Sequence, residues 1–317
     1  MDGMKDGERI LGVVKAVCIS PAKGTEKRPV EKGRFIEGYG IADDAHAGKW
    51  HRQVSLLSCD KVLAFNEKGA AVRDGDFGEN LLVEGIDFRA LPVGTILRAG
   101  EVALRMTQIG KECHSHCAIR RRVGDCIMPR EGVFTRVLTG GVIRPGQEIE
   151  LIEAAPDRPF TAAVITLSDR AFRKEREDRS GPLIREILEQ EGYDVVEMIL
   201  LPDGRPALQR ELMRLADQRQ ASVIFTTGGT GFSERDVTPE ATAAVCDRMA
   251  PGIAEAMRAE SLKITKHAML SRQTAGIRKK TLIVNLPGSP KACREDLEII
   301  LPALRHGLGI LRGTDDN

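Results

Sequence analysis

The chain has 317 residues, of which 42% are hydrophobic and 29% are charged, as in an ordinary globular protein. This length exceeds what one hydrophobic core usually needs and is sufficient for two domains. The 47 basic and 46 acidic side chains nearly cancel, so no overall field attracts nucleic acid or a membrane surface. Any anionic ligand must therefore be bound by local groups.

We expect a cytoplasmic protein with reduced thiols and with neither nucleic acid nor membrane among its partners. Residues 1–9 contain no apolar core and do not look like a signal peptide. No apolar run approaches the length of a membrane span. The seven cysteines are an odd number, which disfavours a disulfide framework.

The first half of the chain is predicted to form a mostly-β domain over residues 1–153. Short β-type runs alternate with turn signals such as Asp74-Gly75-Asp76. One helix is expected over Cys59–Lys68, ended by Gly69. Strands at this spacing favour a barrel or a folded sheet. The predicted strands are Leu11–Ile19, Val54–Ser58, Asn80–Val83, Thr95–Arg98, Val102–Gln108, Phe134–Leu138 and Glu148–Ile152.

Two thiols and two imidazoles follow the strand that ends near Gln108. They are Cys113, His114, His116 and Cys117. One interpretation is a zinc site with Cys126 as a further ligand, although the four groups lie too close together in sequence to complete a tetrahedron comfortably. The favoured interpretation is a single reactive thiolate at Cys113. A third is that Cys113 and Cys117 act only as small hydrophobic side chains.

Cations surround the proposed thiolate in the sequence. Lys111, His114 and Arg120-Arg121-Arg122 lie within a few residues of Cys113 and would favour its ionised form and attract an anion.

Several spaced motifs in this half resemble the MOSC family, which is named after the C-terminal domain of molybdenum cofactor sulfurases. The resemblance implies a mostly-β, barrel-like domain in which Cys113 carries or ligates a molybdenum-pterin group, and a thiolate suits such a soft centre. The family usually has glycine where this chain has Asp43, and Asp44 and His46 are either site residues or a polar turn. The matching stretches are residues 41–48, 75–81, 91–95, 107–114, 126–134 and 136–141.

The second half is predicted to be an α/β domain over residues 161–317, joined by a short, semi-rigid linker over residues 154–160. Strands and helices alternate, which indicates a doubly wound, mainly parallel sheet. Ser180 is expected to cap the first helix, and Pro302 to kink or divide the last one. The predicted elements are strands Thr161–Leu167, Val195–Leu200, Ala221–Thr226 and Thr281–Leu286, helices Gly181–Glu191 and Pro206–Arg219, and a long helix from Ser289-Pro290.

A glycine loop follows the third of these strands. In the stretch Thr226–Thr242, three glycines occur within four residues, Gly228 to Gly231, and Thr238 with Pro239 marks an N-cap and a first helical turn. A strand, a glycine loop and a helix start are the parts of a phosphate site. Asp236 beside such a site implies an intervening cation, so it is interpreted as a Mg²⁺ ligand or water holder. The alternative is a glycine-rich connection with a surface Asp.

Four polar or glycine-bearing turns follow the four predicted strands of this half. They are Ser168–Arg170, Pro202-Asp203, Gly228–Gly231 and Pro287–Ser289. Parallel strands place these turns on one edge of the sheet, where open α/β sheets bind ligands. Asp203 could then face Asp236 across a cleft, an arrangement suited to magnesium-dependent phosphoryl or nucleotidyl transfer.

The same half resembles the molybdenum cofactor biosynthesis family that includes molybdopterin adenylyltransferases. The resemblance rests on residues 167–170, 201–203, 226–242, 270–278 and 285–291. It implies transfer of AMP from MgATP to the terminal phosphate of molybdopterin, with Asp203 and Asp236 as the essential acidic pair. The implied nucleotide or phosphate contacts are Ser168, Asp169, Gly228, Gly229, Thr230 and Gly231, and the implied pterin contacts are Thr238, Ser271, Arg272, Ser289 and Lys291.

Together the two resemblances predict a two-domain enzyme of molybdenum cofactor biosynthesis, using Mg²⁺, ATP and molybdopterin. Arg272 or Lys291 would offset charge on the transferred oxygens. Family members imply a homotrimer formed through the α/β domain, and proteins of molybdenum insertion or sulfur transfer are possible partners. Two alternatives stay open: a non-catalytic cofactor carrier, and a molybdenum oxidoreductase that receives electrons from a partner.

Overall fold

The structure, a computed structural model, describes residues 11–113, 120, 124–153 and 158–315. The chain divides into two units, residues 1–155 and 156–317, each with its own hydrophobic core. Within the residues described, no helix combines the length and apolar character needed to cross a membrane.

The first unit is built around a closed barrel. Seven strands pair in the order β1-β11-β7-β8-β9-β5-β6, and β6 pairs back onto β1. Strand β2 pairs with the far end of β1, and β10, β3 and β4 form a separate small sheet. The strands are β1 (Leu11–Ile19), β2 (Arg28–Val30), β3 (Gly33–Ile36), β4 (Gly40–Ile41), β5 (Val54–Ser58), β6 (Leu81–Glu84), β7 (Ile96–Ala99), β8 (Val102–Ile109), β9 (Val133–Thr139), β10 (Gly141–Ile143) and β11 (Glu148–Glu153).

The barrel interior is filled by the side chains at every second position of its strands. In β8, residues Val102, Leu104 and Met106 are buried in the barrel core, whereas Ala103 and Arg105 are only half-buried. The mostly-β, barrel-like prediction is confirmed, and most predicted strands agree to within about one residue at each end. The helices whose bounds lie within the described residues of this unit are α1 (Cys59–Asn66) and α2 (Met128–Glu131), with a 3-10 turn at Phe88–Ala90.

The short strands β2, β3, β4 and β10 were not predicted. Each has only two to four residues, too few for a period of two to be visible. Pairing with a neighbouring strand, and not local pattern, makes these residues extended.

A buried ion pair supports the loop after β4. Asp44 accepts hydrogen bonds from Lys27 Nζ at 2.5 Å and from Asn80 Nδ2 at 2.9 Å. Burial opposes ionisation of Asp44, but hydrogen bonds from His46, Lys27 and Asn80 outweigh it and lower the pKa of Asp44. The preceding Asp43 has a left-handed φ of 64°, at the position where the MOSC resemblance has glycine. Asp44 therefore fixes this loop from within the core, and His46 keeps a partly exposed ring.

The second unit is a six-stranded sheet with helices on both faces. Its order is β13-β12-β14-β17-β16-β15, and only the pairs that involve β15 and β16 are antiparallel. The predicted doubly wound, mainly parallel sheet is confirmed. Its strands are β12 (Thr161–Leu167), β13 (Asp194–Leu201), β14 (Val223–Thr227), β15 (Arg248–Met249), β16 (Ala275–Arg278) and β17 (Thr281–Leu286). Its helices are α3 (Asp169–Phe172), α4 (Ser180–Gln190), α5 (Arg205–Asp217), α6 (Thr238–Val245), α7 (Pro251–Ile264) and α8 (Pro290–Arg312), with a 3-10 turn at Lys266–Leu270.

Successive residues of the central strands point to opposite faces of this sheet. Ala162 and Val164 of β12 pack into the core covered by α4, α7 and α8. Ala163 and Ile165 pack into the core covered by α5 and α6. A strand buried on both sides explains why its sequence is a continuous apolar run without alternation.

Two local predictions about the N-caps of these helices are wrong, and the predicted division of the last helix does not occur. Ser180 does not cap α4, because it lies inside the helix and Asp178 Oδ1 accepts from the amides of Ser180 and Gly181 instead. Thr238 is likewise the first residue of α6 and not its N-cap. Pro302 does not divide α8, which runs unbroken from 290 to 312 because its apolar face is held in the core.

Glu79 in the first unit is a buried carboxyl group with incomplete hydrogen bonding. Its Oε1 accepts from the amide of Gly75 at 2.6 Å, while Oε2 has no hydrogen-bond partner among the described residues. Burial raises the pKa of Glu79 from 4.5 to about 7, and the negative charges of Asp74 and Asp76 act in the same direction. The folded chain therefore keeps this proton over a pH range in which the unfolded chain has lost it.

This shift predicts a pH-dependent stability of the first unit. The contribution of protonated Glu79 is fully present below pH 4.5 and is lost as the pH rises through about 7. The variant Glu79→Gln removes the titration, so the free energy of unfolding of wild type relative to the variant should fall over this interval and be flat outside it. These free energies of unfolding are measured by urea titration at each pH, followed by the fluorescence of Trp50, the single tryptophan of the chain. The exposed Glu67→Gln variant should follow wild type, and parallel curves for wild type and E79Q would contradict the prediction.

Candidate functional site

The carboxyl ends of four parallel strands lie side by side at one edge of the second-unit sheet. The register pairs Leu167 of β12 with Leu201 of β13, and Thr227 of β14 with Leu286 of β17. Strands β12 and β14 also pair in parallel, with Thr166 opposite Thr227. The four turns therefore meet at the edge where open α/β sheets bind ligands.

Two carboxylates at this edge hold each other's backbone. The amide of Asp169 donates to Asp203 Oδ2 at 3.0 Å, and the amide of Asp203 donates to Asp169 Oδ1 at 3.1 Å. The two hydrogen bonds join the turn after β12 to the turn after β13. They leave each carboxylate with a second oxygen for other contacts.

Asp236 lies close enough to Asp203 for its negative charge to raise the pKa of the Asp203 carboxyl group. Its Oδ2 accepts from the amide of Ser233 at 2.9 Å, which closes the turn between the glycine loop and α6. Burial raises the pKa of Asp203, and the negative charges of Asp169 and Asp236 act in the same direction. The structure thus brings Asp203 and Asp236 to one edge of the sheet.

Arg235 is the counter-charge of this acidic group. Its Nη2 contacts Asp169 Oδ2 in an ion pair and donates to the carbonyl oxygen of Asp203 at 2.9 Å. Arg235 lies within the glycine-loop motif, but no local pattern predicts its pairing with Asp169, 66 residues earlier. Sequence reasoning therefore gave it no role.

The glycine loop offers free backbone donors at the same edge. Gly228 and Gly229 have left-handed φ angles of 96° and 65°, which bend the chain sharply after β14. The amide of Gly228 is directed to the end of β17, at 3.4 Å from a carbonyl oxygen. The amides of Gly229, Thr230 and Gly231 have no hydrogen-bond partner among the described residues. Three adjacent free N–H groups are suited to binding an anion.

Thr238 and Arg272 hold this loop in place. Thr238 donates from its hydroxyl to the carbonyl oxygen of Gly228 at 2.9 Å. Arg272 donates from Nε to the carbonyl oxygen of Gly231 at 2.7 Å, and its Nη groups contact the carbonyl oxygen of Asp236 and the carboxylate of Glu240. Both side chains, predicted as pterin contacts, are engaged with the protein itself in this structure.

The remaining predicted residues lie at helix starts on the same edge. Ser168 Oγ accepts from the amide of Ala171 and caps α3, and Ser289 Oγ accepts from the amide of Ala292 and caps α8. Lys291, in the first turn of α8, has a side chain that is 80% exposed. The start of α8, a helix of 23 residues, directs a positive dipole end toward the edge.

An open cleft of about 500 Å³ lies next to the loop. The residues that line it include Glu240, Arg258, Ser271, Arg272 and Gln273. The cleft has both charged and neutral polar groups, so it can accept a polar heterocycle. Of the predicted pterin contacts, Ser271 and Arg272 line it.

The neighbourhood of Cys113 in the first unit is partly described. Cys113 follows β8 and is half-buried. Lys111 Nζ lies 6.0 Å from the centre of the Phe134 ring, and the Arg52 guanidinium lies 5.6 Å from the same ring. His51 Nε2 and Gln108 Oε1 are 2.9 Å apart. Two cations therefore lie by one ring in this unit, and one of them, Lys111, precedes Cys113 by two residues in the chain.

The alternative zinc interpretation depends on residues outside the described part of the chain. His114, His116 and Cys117 lie there, as do Arg121 and Arg122. Where the structure gives positions, it shows no group of three or more His, Cys, Asp or Glu side chains arranged to hold a metal ion.

Comparison with known proteins agrees with both halves of this description. A model of a "Probable molybdopterin binding domain" matches residues 163–306, and a MOSC domain model matches residues 43–150. The molybdopterin adenylyltransferase of Helicobacter pylori is 44% identical over 153 residues, which are 48% of this chain and 87% of that protein. The molybdopterin adenylyltransferase of Haemophilus influenzae is 45% identical over 137 residues, which are 43% of this chain and 70% of that protein.

A solved structure of the molybdopterin biosynthesis enzyme MoaB of Thermus thermophilus is 46% identical, with a TM-score of 0.47, and covers 49% of this chain and 97% of that chain. The two adenylyltransferases match along most of their own length. The chain therefore belongs to the molybdopterin adenylyltransferase family, and it carries a MOSC domain in addition.

Proposed function

We propose that the second unit transfers AMP from ATP to the terminal phosphate of molybdopterin and releases pyrophosphate. The observation that carries this proposal is a single sheet edge on which free loop amides lie beside Asp203 and Asp236. Family membership supports the same reaction. Free loop amides without nearby carboxylates would favour anion binding alone. Free amides beside two carboxylates suit a metal-assisted transfer between phosphates.

In this reaction, an oxygen of the molybdopterin phosphate attacks the α-phosphorus of ATP. The bond from that phosphorus to the oxygen bridging to the β-phosphate breaks, and pyrophosphate leaves with the electron pair. Both reactants are polyanions, so the protein must align them and offset their charge. The amides of Gly229, Thr230 and Gly231 would bind phosphate oxygens, and Lys291 is exposed near the same edge.

The acidic residues fit a Mg²⁺ ion that arrives with the nucleotide. Asp203 and Asp236 each use one carboxylate oxygen for a backbone amide, and neither other oxygen has a partner within the described residues. Magnesium is usually held by one or two carboxylates together with water and substrate phosphates. When bound, the ion would neutralise charge on the phosphate oxygens and on the leaving pyrophosphate.

Arg272 has a different task in this proposal from the one expected from the sequence. Its guanidinium already binds Gly231, Asp236 and Glu240. We therefore assign it to holding the loop, so that the free amides face the phosphates. Arg235 also acts within the protein, because its ion pair with Asp169 offsets the negative charge of that carboxylate.

We also propose that the first unit binds a pterin or molybdenum-pterin species through Cys113. Cys113 is half-buried, whereas Cys18, Cys59 and Cys126 in the same unit are buried. Burial raises the pKa of Cys18 to about 12 and raises that of Cys59, which makes those thiols poor nucleophiles and ligands. Lys111, two residues before Cys113 in the chain, and Arg52 both lie by the Phe134 ring, and two cations there favour an anionic ligand.

Removing either acidic charge should abolish turnover. Asp203→Asn and Asp236→Asn keep an oxygen for the backbone hydrogen bond and lose the negative charge. We expect pyrophosphate release from ATP and molybdopterin to fall by at least about 100-fold, since metal-assisted charge stabilisation contributes several kcal/mol to such a barrier.

The matched control is Glu234→Gln, which neutralises an exposed carboxylate two residues from Asp236 and should behave like wild type. Wild type that binds molybdopterin but releases no pyrophosphate would show a carrier and overturn the proposed reaction.

A Cβ at Gly228 should weaken nucleotide binding. In Gly228→Ala, the methyl group meets the carbonyl oxygen of Leu167 and the backbone keeps an unfavourable φ. The loop must move, so we expect the Kd for ATP to rise about tenfold or more, as for a lost set of charge-assisted hydrogen bonds. Gly252→Ala, which places its Cβ in open space, is the control and should leave the Kd unchanged. Equal Kd values for the G228A variant and wild type, by calorimetry, would contradict a phosphate role for the loop.

Replacing Cys113 should remove any bound molybdenum. We expect elemental analysis of the native chain to find molybdenum that is absent from Cys113→Ala, since the thiolate would be the protein ligand. Cys246→Ala, also a half-buried thiol but in the second unit, is the control and should retain the metal. Molybdenum in equal amounts in all three proteins would exclude Cys113 as the ligand, and zinc in its place would favour the other interpretation.

A further inference from the structure

A line of hydrogen bonds runs from the core of the second unit to the cleft beside the glycine loop. It begins at Ser261 of α7, passes through Asp296 of α8 and Gln273, and ends at Ser271, which lines the cleft. None of the phosphate or metal roles proposed above uses Asp296 or Gln273. Both are buried, with exposures of 1% and 5%, so their polar groups must be satisfied inside the protein.

The donor and acceptor of each hydrogen bond in this line follow from chemistry. An ionised carboxylate has no hydrogen to donate, so Asp296 Oδ2 accepts from Gln273 Nε2, which lies 2.5 Å away. Gln273 therefore turns its amide nitrogen inward and its carbonyl oxygen outward. That oxygen, Oε1, lies 2.6 Å from Ser271 Oγ, and a carbonyl oxygen cannot donate, so the hydroxyl of Ser271 donates to it.

This arrangement determines what Ser271 can offer a ligand. Its only hydroxyl hydrogen is used by Gln273, and the backbone amide of Gln273 lies 3.4 Å from the same oxygen. Ser271 is thus left with acceptor capacity and no donor for the cleft. The main chain of this segment is also fixed, because Arg258 Nη1 donates to the carbonyl oxygen of Gln273 at 2.7 Å and the amide of Arg272 donates to the carbonyl oxygen of Thr230 at 2.9 Å.

We infer that Asp296 is a positioning residue which, through Gln273, makes Ser271 a dedicated acceptor for an N–H group of the pterin ring. This inference rests on the proposed function, since it assigns the cleft to the pterin part of molybdopterin. A ring that carries an amino group and ring N–H donors matches an acceptor-only serine. A site that must hydrogen-bond a ligand donor discriminates strongly against ligands that lack one.

The carboxylate of Asp296 has a separate partner for each of its oxygens. The hydrogen bond from Ser261 occupies Oδ1 at 3.2 Å and leaves Oδ2 for Gln273. Burial raises the pKa of Asp296, while the hydrogen bonds from Gln273 and Ser261 lower it and the charge of Glu295 raises it further. Both hydrogen bonds favour the ionised form, and either a carboxylate oxygen or the amide oxygen of an asparagine can accept from Gln273.

The test is equilibrium binding of molybdopterin, under anaerobic conditions and without ATP, to the full chain and its variants. In Asp296→Leu, Gln273 loses the acceptor that orients it, and the Ser271 hydroxyl is free to turn toward the cleft. We expect the Kd to rise about fivefold or more, the effect of losing one ligand hydrogen bond. In Asp296→Asn, the amide can turn its nitrogen to Ser261 and keep its oxygen toward Gln273, so near wild-type binding should be restored. Glu298→Gln, which neutralises an exposed carboxylate two residues further along α8, is the control and should bind like wild type.

A double-mutant cycle separates positioning from general packing. If Asp296 acts through Ser271, then D296L adds nothing to the effect of Ser271→Ala, because the group it orients is already gone. Additive effects of D296L and S271A, or wild-type binding by D296L, would overturn the inference. Should D296L fail to fold, Gln273→Leu interrupts the same line and must show the same lack of additivity with S271A.

Failure of the inference and failure of the proposed function give different results. Unaltered binding by D296L, with pyrophosphate release intact, overturns the inference alone. Altered binding that obeys the cycle, in a chain that releases no pyrophosphate, supports the inference and overturns only the reaction. No binding of molybdopterin by wild type overturns both.

Discussion

Two reciprocal hydrogen bonds, each from a backbone amide to a carboxylate, join the turns after β12 and β13. They link Asp169 to Asp203 and fix both carboxylates at the edge of the sheet. Since the strands beneath are paired in parallel and end level with one another, the two turns cannot separate without breaking the sheet. Asp236 and the glycine loop come from the next strand, β14, which is paired to β12. The groups proposed to bind phosphate and metal therefore follow adjacent, paired strands of one sheet. Three negative charges in a small space would be unstable without a counter-charge, and Arg235 supplies it through Asp169.

A second constraint acts on the glycine loop. Free amides bind anions well only if they are held in position beforehand, because ordering a flexible loop costs conformational entropy. Here the carbonyl oxygens of the loop are bound by Thr238 and Arg272, while the amides of Gly229 to Gly231 stay free within the described residues. The protein thus uses its strong donors on the loop itself and leaves weaker backbone donors for the ligand. This division explains why Arg272 lies next to the site without facing the expected phosphates.

In the first unit, too, charged side chains hold a loop in place by binding within the protein, here as a buried ion pair. Lys27 and Asp44 bind each other inside the core, and Asn80 adds a hydrogen bond to the same carboxylate. The partners are satisfied, so the pair orders a loop and is not available to a ligand. Glu79 differs from these buried groups, since one of its oxygens has no partner among the described residues. Burial therefore favours the protonated, neutral form of this side chain.

The sequence alone determined the two-domain division of fold types, the barrel-like first half and the parallel sheet of the second. These follow from local patterns: turn residues between short β-type runs in one half, and alternating strands and helices in the other. It also predicted that the glycine loop, Asp203 and Asp236 lie at one edge of the sheet, because the end of a parallel strand is a fixed place in an α/β sheet. Tertiary structure decided the rest. Three interactions join residues that are far apart in the sequence: the pairing of Arg235 with Asp169, the contact of Arg272 with the glycine loop, and the line from Asp296 to Ser271. A side chain's partner across the fold depends on distance in space, which a local pattern does not contain.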